Sequence, residues 1–335
     1  MKKILLFALI LAGFSYPVRA EVASPPSPGE IAAAAPPADW TSISPADLMV
    51  MDIAPDAKGR ERRVVIQLMP APFSQGWVGN IRKLAAAKFW DGTSINRVQD
   101  NYVVQWGDAP KDEGSKKALP QGLAVVPESE YTTQFTQETS RALDSGIISA
   151  MFFCPHGTSN AERDSCKDVI MRKTGRRDPY SDVHGFYHGF PFALVTSQFS
   201  WPTHCYGMVG VGRNFSPDTG SGAELYTVIG HAPRHLDRNI ALVGRVIEGI
   251  EHLSSLPRGT GALGFYEKAE DRVPILSVRM GDSVADLPAF EYLSTETATF
   301  AAYADARANR LDPFFIRPAG GADICNIPVP IRRKN

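Results

Sequence analysis

An excess of charge of either sign is missing: 35 Lys and Arg stand against 36 Asp and Glu, a formal net charge of −1. A chain without an overall basic field lacks the electrostatic footprint of a general nucleic-acid binder, so no nucleic-acid partner is expected. Long apolar runs are missing too. The longest, residues 4–14, falls well short of the roughly 20 residues that span a bilayer. Cysteine is scarce, with only Cys154, Cys166, Cys205 and Cys325, and no Cys-x-x-Cys or His-Glu-x-x-His occurs. A metal site drawing on His156, His184, His188 or His204 would want such spacing, and neither a metal nor another cofactor is expected. No nucleophile elbow is present either, which leaves hydrolysis weakly supported.

What is there points to an exported globular protein. The chain has 335 residues, 44% hydrophobic and 21% charged, enough to bury a sizeable core. Residues 1–20 join a short basic end to an apolar run and close on Val-Arg-Ala. This reads as a secretory signal cut after Ala20, giving a periplasmic or secreted protein with no stable membrane span after cleavage. In an oxidising compartment four cysteines allow three pairings. Cys154 and Cys166 bracket a polar loop, which favours a local bridge, and Cys205 with Cys325 would then tie the tail to the body.

The pattern along the chain is many short strands and few helices. Residues 21–40 are rich in Ala, Pro and Ser with little to bury, and an unfolded linker is expected there. Residues 47–54 and 63–69 flank a turn at Pro55-Asp-Ala-Lys-Gly59 and predict a hairpin. Trp77, Ile81, Leu84 and Phe89 recur at near-helical spacing after Ser74, predicting a helix that stops at Asp91 and Gly92. Residues 94–108 predict two strands around a turn at Gln99, Asp100 and Asn101. Further strands are expected at 146–153, 207–213, 225–229, 240–246 and 273–279, with a short helix through Ile247, Ile250 and Leu253. Between 164 and 192 the pattern assigns nothing. Phe290, Leu293, Phe300 and Ala304 recur at helical period behind Asp286 and Pro288, predicting a helix in an extension that runs over 283–335. Gly259-Thr-Gly-Ala-Leu-Gly264 fits a dinucleotide-binding pattern but follows a helix-like segment where a strand is required, and so reads as a glycine-rich turn.

One stretch carries more. Residues 95–108 read Ile-Asn-Arg-Val-Gln-Asp-Asn-Tyr-Val-Val-Gln-Trp-Gly-Asp. This resembles the cyclophilin family of peptidyl-prolyl isomerases, whose region is approximately Phe-His-Arg-Val-Ile-x-x-Phe-Met-x-Gln-Gly-Gly-Asp. Arg97, Gln105, Gly107 and Asp108 coincide without a gap. Trp77-Val-Gly-Asn-Ile-Arg-Lys-Leu84 is similar to the family's Val-x-Asn-Phe-x-x-Leu helix. Gly207-Met-Val-Gly-Val-Gly-Arg213 and Gly222-Ala-Glu-Leu-Tyr226 resemble its Gly-x-Leu-Ser-Met-Ala-x and Gly-Ser-Gln-Phe-Phe. Leu236-Asp237 and Val243-Gly-Arg-Val-Ile-Glu-Gly249 resemble two further blocks. The resemblance spans about 48–282, within a domain taken as 41–282, and is broken by an insertion from about 113 to 202.

The resemblance implies a mainly β fold: a closed cyclophilin-like β-barrel capped by two helices, with a long insertion and an appended C-terminal helix. It also implies a peptidyl-prolyl cis-trans isomerase whose partners are proline-containing polypeptides. Rotation about an X-Pro bond is slow because amide resonance must be broken. No nucleophile or metal is needed, only tighter binding of the twisted amide than of either planar isomer. Arg97 would donate near the prolyl nitrogen and carbonyl, and Gln105 would hold the preceding backbone. Matched positions assign substrate contacts to Tyr102, Val103, Gly212, Glu224, Tyr226, His235, Leu236 and Ile240. Departures from the family include Tyr102 in place of Phe, Val103 of Met, Glu224 of Gln, His235 of Trp and Ile240 of His. The alternatives are Arg97 as a structural ion-pair partner and the whole as a non-catalytic proline-peptide-binding or chaperone module.

Overall fold

The computed structural model describes residues 24–110, 113–134, 178–181, 183–195 and 198–334. Its strands in chain order are β1 (Trp40–Ile43), β2 (Leu48–Ile53), β3 (Arg62–Leu68), β4 (Ser94–Val98), β5 (Val103–Gly107), β6 (Thr133–Gln134), β7 (Val183–Tyr187), β8 (Phe190–Val195), β9 (Phe199–Pro202), β10 (Met208–Val211), β11 (Leu225–Val228), β12 (Leu242–Glu248), β13 (Val273–Met280), β14 (Phe290–Leu293) and β15 (Ile331–Arg333). The helices are α1 (Pro28–Ala33), α2 (Gln75–Ala86), α3 (Glu251–Ser254) and α4 (Ala298–Ala308).

Eight strands close into a barrel in the order β10-β11-β5-β4-β13-β2-β3-β12. Closure pairs every strand on both sides and leaves no edge to protect. Strand alternation decides what each face carries. On β5 and β11, Val104, Trp106 and Leu225 join the main core, while Val103, Tyr226 and Val228 form a separate cluster. Helix α2 adds Trp77, Ile81 and Leu84 to the main core and packs against β12 and β13. The single-turn α3 packs against β3.

Outside the barrel, β6-β9-β8-β7 form a four-stranded sheet in the insertion and β1-β14-β15 a three-stranded one. The two hold one body with the barrel. Arg245 of β12 is buried, donating to Gln67 Oε1 at 2.8 Å and to the Gly189 carbonyl at 2.5 Å. Its guanidinium also stacks on the rings of Phe190 and Tyr292, at 4.5 and 5.6 Å. The Cys205–Cys325 bridge joins the tail to the barrel as expected. The strand expected at 146–153 and the Cys154–Cys166 pairing lie outside the described residues.

Three expectations are overturned. Ile247 is not in the short helix, since β12 runs on to Glu248 and α3 begins only at Glu251. Residues 28–39 are not an unfolded linker: Ser27 and Glu30 form a capping box on α1, and Ile31 and Ala32 pack on the core. The run from Phe290 to Ala304 is not one helix. Phe290 and Leu293 belong to β14, paired with β1 through Trp40↔Leu293 and Ile43↔Phe290. The helix starts only after Thr297, whose hydroxyl accepts from the Phe300 backbone N–H. Strand partners distant in sequence outweigh a local period. The unassigned stretch before residue 192 holds a hairpin of β7 and β8.

Candidate functional site

The site is built on the outward face of β4, β5 and β11. In the β5–β11 register Tyr226 stands opposite Gln105 and Val228 opposite Val103. Tyr102 and Ile240 pack against the Val103–Tyr226–Val228 cluster from its margins. Across the other side of β5, Arg97 of β4 stands opposite Gln105, although Ile95 already stands opposite Trp106. One extra residue, Asn96, is therefore bulged into β4. Such a bulge re-aims the side chain that follows it.

Arg97 is held by neutral oxygens. Its Nε donates to the Leu263 carbonyl at 2.7 Å, Nη1 to Gln105 Oε1 at 3.1 Å, and Nη2 to Gln99 Oε1. The guanidinium lies 5.3 Å from the Phe265 ring centroid and 5.7 Å from that of Tyr102. Among the described residues no carboxylate forms an ion pair with it. Burial pulls its pKa below the ordinary arginine value, with Tyr102 opposing, yet the group keeps its charge. Of its five N–H groups, three are taken by these bonds. The glycine-rich turn supplies the Leu263 carbonyl. Gly264 sits at φ +80° with room for no side chain, since a Cβ would lie 2.7 Å from the Gln99 Cα.

Beside Gln105 stands Glu224, which accepts from Gln105 Nε2 at 3.4 Å. Arg97 of β4, Gln105 of β5 and Glu224 just before β11 thus form a row, with the amide of Gln105 oriented by both neighbours. Burial raises the Glu224 carboxyl to about 7, against hydrogen bonds from Gln105 and Asn96 that favour ionisation. Glu224 also lines a cavity of about 390 Å³ with Gln105, Asp108, Lys117, Gly212 and Asp218. A guanidinium with spare donors next to an apolar cluster can polarise and twist a bound amide. A charge-flanked cavity beside it can take a neighbouring side chain.

Beneath the cluster the Tyr226 hydroxyl meets His204 Nε2 at 2.8 Å, and His204 Nδ1 meets Asp237 Oδ1 at 2.8 Å. The sequence offers His204 only among candidate metal ligands and Asp237 only within a family block, because nothing in it links positions 204, 226 and 237.

A search of curated proteins by sequence finds no match. The family profile described as cyclophilin type peptidyl-prolyl cis-trans isomerase/CLD matches residues 61–280. The chain belongs to this cyclophilin-type family. Its class is that of the peptidyl-prolyl cis-trans isomerases, which bind proline-containing peptides. The crystal structure of cyclophilin AquaCyp293 from Hirschia baltica aligns with a TM-score of 0.59 and 21% identity, over 88% of this chain and 94% of that one. Its likeness bears on the fold, including parts outside the residues the family profile matches. A Cryptosporidium parvum cyclophilin type peptidyl-prolyl cis-trans isomerase, solved in the presence of the dipeptide Ala-Pro, aligns at a TM-score of 0.33 and 9% identity, over 69% of this chain and 98% of that one.

Within this cyclophilin-type barrel, Arg97, Gln105, Tyr102, Val103, Tyr226 and Ile240 come together on one face, with Glu224 and Gly212 at the adjoining cavity. His235 and Leu236 do not join the cluster. The 3₁₀ turn Arg234–Leu236 leaves His235 exposed and Leu236 half-buried outside it. Among the described residues no group of His, Cys, Asp and Glu has the arrangement of a metal site, and no helix is long and apolar enough to cross a membrane.

Proposed function

We propose that the chain accelerates rotation about X-Pro bonds in exported polypeptides through the Arg97 guanidinium, with Gln105 holding the preceding backbone. The observation that carries this reading is the bonding of Arg97: a bulge aims it at the apolar cluster, three of its N–H groups rest on neutral oxygens, and two remain for a ligand. A donor aimed at the prolyl nitrogen favours a pyramidal, unconjugated nitrogen and so the transition state over both planar isomers. The proline ring is received by Val103, Tyr226 and Val228, with Tyr102 and Ile240 at the rim.

The test is an isomerisation assay on an X-Pro peptide. Arg97→Ala is expected to lose about 100-fold or more in kcat/KM, the scale of losing one charge-stabilising donor. Equal rates would remove Arg97 from the mechanism. A wild type that binds the peptide without accelerating its exchange would favour the non-catalytic module. The proposed compartment follows from residues 1–20, and an exported protein whose intact mass starts at Glu21 is the expected outcome; a retained leader contradicts it.

A further inference from the structure

Tyr226 presents a problem that a phenylalanine would not. It is only 5% exposed, and a hydroxyl buried without a partner costs about 1–3 kcal/mol. Gly210 of β10, opposite Tyr226 in the ladder, opens the route to a partner: a Cβ there would collide with the end of the Tyr226 ring. The ring therefore lies across β10, and its Oη reaches His204, which follows β9 and is fully buried.

His204 can play only one part in this arrangement. Asp237 Oδ1 accepts from the His204 backbone N–H at 2.9 Å and lies 2.8 Å from Nδ1. An ionised carboxylate only accepts, so Nδ1 carries the proton and Nε2 is left to accept from the tyrosine. Burial lowers the His204 pKa despite the Asp237 carboxylate, so the ring stays neutral. Asp237 is fixed in turn by Arg234 Nε at 2.6 Å and Trp201 Nε1 at 3.3 Å. Arg234 Nη2 continues to Asp178 at 3.0 Å. Trp201 and Asp178 belong to the insertion.

We propose that His204 is a positioning residue of the proline site: through an acceptor fixed by Asp237, it holds the Tyr226 hydroxyl behind the wall so that the substrate meets only the ring. Through Trp201 and Asp178 the insertion thereby bears on the shape of that wall. This rests on reading the Val103–Tyr226–Val228 face as the place where proline binds.

The experiment is an NMR titration with the peptide Ala-Leu-Pro-Phe, following histidine ring nitrogens and Val methyls. The free protein is expected to show His204 as the Nδ1–H tautomer, with Nε2 shifting on peptide addition. His204→Phe is expected to weaken peptide binding about 5-fold or more, while the exchange rate of the saturated peptide changes less than 2-fold. The double variant His204→Phe with Tyr226→Phe should bind more tightly than His204→Phe alone, because no polar group is left unpaired. His204→Gln, which keeps an acceptor, should fall between wild type and His204→Phe. Wild-type binding by His204→Phe, or a double variant no tighter than the single, overturns the proposal. Should His204→Phe not fold, Tyr226→Phe decides: it must displace the His204 Nε2 resonance, and an unmoved resonance overturns the idea. Silent Val103 and Val228 methyls reject the site itself, and this inference with it; moving methyls with an indifferent His204 reject the inference alone.

Discussion

At position 224 a carboxylate stands against Gln105, and burial lifts it to about 7 from the ordinary 4.5. Because the folded pKa is the higher one, the folded state holds a proton between about 4.5 and 7 that the unfolded chain has released. Stability therefore falls as pH rises through that window, by at most about 3 kcal/mol. Groups facing Glu224 from the cavity are Asp108, Lys116, Lys117, Arg213 and Asp218. Glu224→Gln removes the titration: in melts at pH 5 and pH 8 the wild type should lose more stability than the variant, and parallel curves would contradict this. Arg97 and Gln105 were legible because their spacing repeats a family block. The bulge at Asn96 was not, since a one-residue excess is defined only against the partner strand. The His204–Tyr226 bond was hidden for a similar reason, as only folding brings positions 22 apart into contact.

Among the elements, those whose pattern and burial agree were readable. Helix α2, the β2–β3 hairpin and the β4–β5 pair fall where spacing and turn residues put them. Misreadings came where partners lie far off, as for β14, or where a short helix is stabilised by its cap and a neighbouring helix, as for α1 on α4. The turn at 259–264 was read correctly as a turn, but its task was invisible: it delivers the Leu263 carbonyl to Arg97. Gly264→Ala should cost at least about 1–3 kcal/mol from strain at positive φ, with the clash against Gln99 added to it, and should lower kcat/KM as that carbonyl moves. Wild-type melting and activity together would refute it.

For the whole molecule, the bridge between Cys205 and Cys325 spans 120 residues. Constraining so long a segment in the unfolded state contributes about 2–5 kcal/mol. Cys325→Ser should lower the melting temperature of the oxidised protein and leave the reduced protein almost unchanged; equal melting of the two oxidised proteins would refute the contribution. The bridge also anchors the residue next to His204, so the same variant joins stability to the pocket wall.

The sheet of β1, β14 and β15 has a temporal consequence. Trp40 has its ladder partner at Leu293, so a nascent chain exposes β1 unpaired while the entire barrel is being synthesised. At roughly 5–20 residues per second, that interval is on the order of 10 to 50 s. The barrel can close first, and the outer sheet completes only afterwards, around a body already formed.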